Sequence, residues 1–364
     1  ASKETKIDDI EETVSGIETD INALADAVAK EGTENYTATE AEDVISRIRA
    51  CQTGNSLTFA LVTDIHYGST DKQYGLLDTS CPYMLDHTIK NINYVSKFVH
   101  YDFLVNLGDN TDGDLAPSQN KALDDVVNKK LGLLKIPYLF SAGNHDTNIY
   151  YNNGSNTRTP SEMYAYGYSM MTRTKSRPGT YGNDWYLDLD ELGIRIISLS
   201  VNYTYRYRFS GEADLQTWLE TVLDSDKINI IFTHLSMISS QNWNGTAPNR
   251  AKYPRNAVSA FVENGGTVIQ LCGHSHADYS FETPWLCVFS NCTKFFQSDL
   301  SISQWEAITG NDELGIVNPE RVEGEASEDC WTTVIVNPEL GTIDFIRFGA
   351  GNDRHYTFDV VNDE

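Results

Sequence analysis

Five short clusters carry residue types suited to holding metal ions: Asp64-Ile65-His66, Gly108-Asp109-Asn110, Gly143-Asn144-His145-Asp146, His234, and Gly273-His274-Ser275-His276. Five of the eight histidines fall in them. Singly each is weak, because an Asp-x-His triplet can be an Asx turn beside a surface histidine, and Gly-Asp or Gly-Asn pairs are ordinary turn formers. Together they supply carboxylate, carboxamide and imidazole donors, a mixture that suits Mn, Fe, Zn or Ni. Their number is enough for two divalent or trivalent transition-metal ions that share one carboxylate. Such a pair can activate a hydroxide while stabilising the oxygens of a phosphoryl group during in-line displacement.

Loops of this kind need rigid elements behind them, and each cluster follows an apolar stretch of strand length. The pattern predicts strands at 57–63, 103–107, 138–142, 228–233 and 267–272, with further strands at 185–189, 194–199 and 286–289. Helices are expected at 85–100, 120–134, 212–223 and 255–263. An acidic linker at 311–329 leads to strands 330–336 and 341–348, which the four residues Asn337-Pro338-Glu339-Leu340 join as a hairpin. Alternating strands and helices followed by antiparallel material predict an α/β fold of two packed sheets flanked by helices, with the functional loops at strand ends. Six cysteines are too few for a disulfide scaffold in a chain of 364 residues. No bridge is expected, and Cys287/Cys292 is the first pair to check.

The successive clusters resemble the motifs of the calcineurin-like metallophosphoesterase family over about residues 57–276. The closing Arg347-Phe348-Gly349-Ala350-Gly351-Asn352-Asp353-Arg354 resembles the end of bacterial members, so a bacterial or phage-associated member is implied. The resemblance implies a two-sheet sandwich in which Asp64, His66, Asp109 and His276 bind one metal. Asp109, Asn144, His234 and His274 would bind the other, with Asp109 bridging. It also places His145 near the scissile phosphate, as proton donor or charge stabiliser, with Asp146 orienting its imidazole. Asp112 fits either an acceptor beside the ligands or a solvated loop acid, and Asn110 could contact substrate. His87 and His100 read as helix-surface and helix-end residues, and His355 stays open.

The net charge of −25 disfavours duplex nucleic acid, whereas two bound cations would still make a pocket attractive to a phosphorylated small molecule or organic phosphodiester. No apolar run is long enough to insert in a membrane. The 147–184 insert and the segment after it mix tyrosines with Arg173, Lys175, Arg177, Arg206 and Arg208. Tyr203, Arg206, Arg208, Trp243 and Arg250 are candidate substrate contacts, or else the two faces of a solvated strand and a loop.

At the other end, Ile7, Ile10, Val14, Ile17, Ile21, Leu24 and Val28 alternate spacings of three and four residues. This a/d seam predicts a stalk over 1–32 that is a homotrimeric or homodimeric coiled coil through residues 7–28, or an amphipathic helix on the body. A short connecting helix is expected within 33–56, and a metallophosphoesterase domain over 57–364. A stalked enzyme suits a bacterial surface or a phage particle, with the cytoplasm as the alternative. A second functional class is a metal-stabilised structural or binding subunit of such an assembly, without strong catalysis.

Overall fold

The computed structural model describes residues 38–67, 81–148, 158, 174–178, 184–200, 212–238, 252–293, 316–317, 319–322 and 325–359. The heptad segment lies outside the described residues, as do Tyr203, Arg206, Arg208, Trp243 and Arg250. In chain order the elements are α1 (Ala38–Cys51), β1 (Leu57–Val62), α2 (Cys81–Val95), β2 (Phe103–Asn106), α3 (Pro117–Leu131), β3 (Tyr138–Phe140) and β4 (Lys175–Ser176). Next come β5 (Trp185–Leu189), β6 (Ile194–Leu199), α4 (Glu212–Val222), β7 (Ile228–Thr233), α5 (Lys252–Glu263), β8 (Val268–Cys272) and β9 (Tyr279–Phe281). The last are β10 (Leu286–Phe289), β11 (Cys330–Asn337), β12 (Thr342–Gly349) and β13 (Arg354–Thr357).

Residue parity along β1 explains the layering. Leu57, Phe59 and Leu61 pack with Ile230, Phe232 and Leu271 of β7 and β8, while Ala60 and Val62 pack with Ile45, Ile48 and Ile92 of α1 and α2. Side chains of a strand alternate between faces, so one strand feeds two cores. A third core joins Ile197 and Ile231 to Leu219 and Val258 of α4 and α5. The result is two sheets face to face with helices outside.

The sheet orders are β13-β12-β11-β1-β2-β3 and β4-β5-β6-β7-β8-β10-β9. Strands β1, β2 and β3 run parallel, as do β6, β7, β8 and β10, whereas β11 to β13 and β9 are antiparallel to their neighbours. The five clusters follow β1, β2, β3, β7 and β8, and the carboxyl ends of parallel strands are where α/β sheets bind ligands.

Helix α2 ends at Val95, short of the expected 100, because Phe98 N–H and Val99 N–H both turn back onto the Val95 carbonyl. The 311–329 stretch is more than a linker: Val317 pairs with Asp278, and Arg321 donates to the carbonyls of Cys292, Thr293 and Glu328. Strands β4, β9 and β13 are too short for a periodic signal. Cys287 lies against Cys272 with the sulfurs 3.7 Å apart, and the described Cys51, Cys272, Cys287, Cys292 and Cys330 are free thiols. Among the described residues no helix is long and apolar enough to cross a membrane.

Candidate metal centre

Each ligand candidate has one polar atom fixed by the scaffold and another turned to a common centre. Asp64 Oδ2 accepts from Thr63 Oγ1 at 2.6 Å and from His274 N–H at 2.9 Å. Asp109 Oδ1 accepts from His145 N–H at 2.8 Å. His234 Nδ1 is 2.8 Å from the Leu107 carbonyl, so Nδ1 carries the hydrogen and Nε2 holds the lone pair in the neutral ring. His66 Nδ1 lies 2.6 Å from Asp112 Oδ1. Asp112 is therefore an acceptor that orients a candidate ligand histidine rather than a solvated loop acid.

The inward atoms converge. His276 Nε2 is 3.2 Å from Asp64 Oδ1 and 3.1 Å from His66 Nε2. His234 Nε2 is 2.9 Å from Asp109 Oδ2, and His66 Nε2 and His145 Nε2 are each 3.9 Å from the same oxygen. Three groupings each bring three ligand atoms within 4.8 Å: Asp64 with His66 and His276, His66 with Asp109 and His145, and Asp109 with His234 and His274. Asp109 is shared by the second and third groupings, and His66 by the first and second.

Asp64 Oδ1, Asp109 Oδ2 and His234 Nε2 are buried, and among the described residues the only polar atoms they face are one another and the neighbouring imidazole nitrogens. Buried polar atoms are costly unless something satisfies them, and two anionic oxygens beside imidazole nitrogens fit divalent cations well. The local electrostatics agree. Burial works to raise the Asp64 carboxyl, yet His234 and His276 hold it far below its ordinary range. Burial likewise opposes the ionisation of Asp109, which His234 and His145 restore. Burial would lower His234, but the Asp109 and Asp64 charges raise it to about 9. His274, desolvated and beside His234, is lowered to about 3. These carboxylates are kept charged by the positive charge of their neighbours, a role metal ions would take over.

Backbone conformation sets this geometry as much as side chains do. Asp64, His66, Asp109, His274 and His276 all have positive φ, between 47° and 72°. Non-glycine residues rarely adopt this region, and strain of this kind concentrates at functional sites. Close approach explains the glycines: a Cβ on Gly143 would sit 2.1 Å from Asp109 Oδ1, and one on Gly273 would sit 2.0 Å from Thr63 Oγ1.

Several expected roles change. Asp146 does not orient His145; its carboxylate accepts from the backbone N–H groups of Asp109, Asn110 and Gly143, at 2.7–2.8 Å, and so ties the second and third loops together. Burial and the Asp109 charge push Asp146 up to about 7 against those three donors. The His145 ring is fixed instead by Nδ1, 2.7 Å from the Asp112 carbonyl. Asn110 is buried and its side-chain oxygen accepts from Asn106. Within the insert, Arg177 is buried against Asp184, which keeps it from forming part of an exposed cationic wall, and the exposed Lys175 pairs with Asp188. Asn144 is buried beside the centre with its backbone opening the His145–Thr147 turn. His87 is half-buried, His100 is exposed near Asp102, and His355 pairs with Asp344 on the outer strands. Thr63 went unread in the sequence, where a threonine ending a strand looks like any β-branched residue.

A model of the calcineurin-like phosphoesterase family matches residues 57–278. Solved structures share the fold. A dimetal phosphatase from Danio rerio aligns over 83% of this chain and 99% of its own at 13% identity, with a TM-score of 0.54. The purple acid phosphatase from yellow lupin (Lupinus luteus) seeds aligns over 84% of this chain and 54% of its own at 10% identity, with a TM-score of 0.51. A search of the curated proteins gives no match. Because the family match spans more than half of the chain and every cluster it needs meets at one end of the sandwich, this chain belongs to the calcineurin-like phosphoesterase family and is a metal-dependent phosphoesterase.

Proposed function

We propose that the protein hydrolyses a phosphomonoester or phosphodiester at a dinuclear centre. Asp64, His66, Asp109 and His276 would hold one cation, and Asp109, Asn144, His234 and His274 the second. The observation that carries this reading is the position of Asp109, whose buried Oδ2 lies 2.9 Å from His234 Nε2 and 3.9 Å from His66 Nε2. When bound, the ions supply Lewis acidity to phosphoryl oxygens and to an attacking water.

The chain itself contributes orientation and a proton path. His145 keeps 24% of its side chain exposed, so it can meet a phosphate that enters over the centre. The Asp112 carbonyl can only accept, which puts a hydrogen on Nδ1 and leaves Nε2 to exchange the second proton. Burial holds this imidazole below its ordinary range, with Asp109 opposing, so the resting ring is neutral near pH 7. An anionic substrate favours its protonated form, which can then donate to the leaving oxygen. A phosphorylated small molecule or organic phosphodiester is the substrate class that accords with the acidic composition.

The test is turnover of aryl phosphomonoesters and phosphodiesters after chelation and Mn addition. Chelation should abolish turnover and Mn should restore it. His145→Ala should lower kcat by about 10²–10⁴-fold with both ions retained by elemental analysis. Undiminished turnover in excess chelator would overturn the reading.

A further inference from the structure

The closing motif Arg347–Arg354 lies on the sheet that does not carry His274 and His276, yet its side chains reach the end of their turn. Arg347 Nη2 is 2.5 Å from Asp278 Oδ1, and Arg354 Nη2 is 3.2 Å from the same oxygen. Asp278 is two residues beyond His276, buried, and accepts from Asn291 N–H. Arg354 Nη1 also donates to the Phe289 carbonyl at the end of β10. One carboxylate, just before β9 of the opposite sheet, thus accepts a hydrogen bond from Arg347 of β12 and lies at ion-pair distance from Arg354 of β13.

The rest of the motif serves that contact. Asp353 Oδ1 accepts from Arg347 N–H at 2.8 Å and from Arg47 of α1 at 2.5 Å, so it ties the strand to the helix. Gly349, at φ +80°, has no room for a side chain, since a Cβ would meet the Asp329 carbonyl at 2.0 Å. Gly351, at φ +113°, crosses over the pair, where a Cβ would lie 3.2 Å from Arg347 Nε.

The ligand turn needs such an anchor. Its start is held by Gly273 N–H on the His234 carbonyl and by His274 N–H on Asp64. Its end is held by the Asp278–Val317 bridge and by the carboxylate. Between them His274 and His276 stand at φ +72° and +53°, conformations that persist only where surrounding structure over-determines them. A buried carboxylate with two guanidinium partners is a fixed point, because freeing it would leave uncompensated charge inside the protein.

We propose that Arg347 and Arg354 are positioning residues for the metal centre: through Asp278 they hold the Gly273–Asp278 turn so that His274 and His276 meet Asp64 and Asp109. The inference rests on the dinuclear reading for its consequence, though the anchoring is measurable without metal. Such supporting contacts are commonly worth 10–100-fold in metal affinity.

Arg354→Met and Arg347→Met are the variants, with Arg195→Met as control. Arg195 pairs with Asp188 and Asp224 near the start of β6, at the end of the sandwich away from the ligand loops. Amide exchange in chelated protein should speed about 10-fold or more over residues 273–278 in both arginine variants and not in the control. Mn titration should show one or both ions bound roughly 10–100-fold more weakly, with kcat reduced and KM little changed, and Arg354→Lys should recover most of the loss. If Arg347→Met does not fold, the partly exposed Arg354 decides alone. Unchanged exchange and full Mn affinity in a folded Arg354→Met protein would overturn the proposal. Wild-type protein that takes up no pair of ions would instead defeat the dinuclear reading, leaving the exchange result to judge the anchor.

Discussion

Single residues at this centre are constrained by backbone as well as by chemistry. Because Asp109 Oδ1 occupies the space a Gly143 side chain would need, Gly143→Ala must displace a carboxylate shared by two of the ligand groupings. Turnover should fall at least about 100-fold, a loss of the kind that follows a 1 Å misplacement of a reacting group, and metal content should drop with it. Thr63→Val keeps the shape of the side chain but deletes the hydroxyl bond to Asp64 Oδ2. Mn affinity should weaken by about 10-fold with little change in melting temperature. The identities of the ligand candidates were legible in the sequence because Asp, Asn and His recur in it after successive apolar runs. Their left-handed backbone was not, since nothing in an Asp-Ile-His or His-Ser-His string reports φ. Nor was the duty of Asp146, which depends on two loops meeting in space, as Asn110 and Asp146, 36 residues apart in the chain, do here.

Elements hold the loops through the core between the sheets. Phe232, fully buried on β7 just before His234, meets Phe59 edge-on at 5.8 Å between ring centroids, and Phe59 stacks on Phe103 at 5.4 Å. Phe232→Ala should cost about 3–5 kcal/mol of unfolding free energy by urea titration. The described start of the insert is pinned to α3 by a buried pair: Arg158 contacts Asp124 and also donates to the Asp146 carbonyl at 3.0 Å. Burial pushes Asp124 up to about 6, although Arg158 pulls the other way. The folded protein therefore binds more protons there than the unfolded chain, whose aspartates titrate near 4. Stability from this group is full below about pH 4 and is lost as pH rises to about 6. Denaturant midpoints should show wild type losing ground to Asp124→Asn across that interval, and a gap that widens in wild type's favour would contradict the assignment. Strands such as β1 and β7 were readable from continuous apolar runs, and the hairpin from its four-residue join. The short β9 and β13 were not, because three or four residues carry no period.

At the scale of the whole molecule, bound metal should stabilise the fold, since the ligands come from both sheets and an ion that binds only the native arrangement adds its binding free energy. Chelation should lower the melting temperature, and excess Mn should raise it in proportion to the logarithm of its concentration. The two-sheet architecture was legible from the α/β rhythm and the late antiparallel strands. Which strands neighbour one another was not, because β1 pairs with β11, over 270 residues away in sequence, with Leu57 opposite Val336. That pairing has a temporal consequence. Every ligand candidate has been synthesised once His276 is made, yet β1 then has an open edge, and the partner for that edge, β11, begins only at Cys330. Until it arrives, the strand that delivers Asp64 presents unpaired backbone of the kind that invites association with other chains. The β11–β12 hairpin thus closes an edge that opened far earlier in synthesis, and a nascent chain stalled before residue 330 is a species in need of a chaperone.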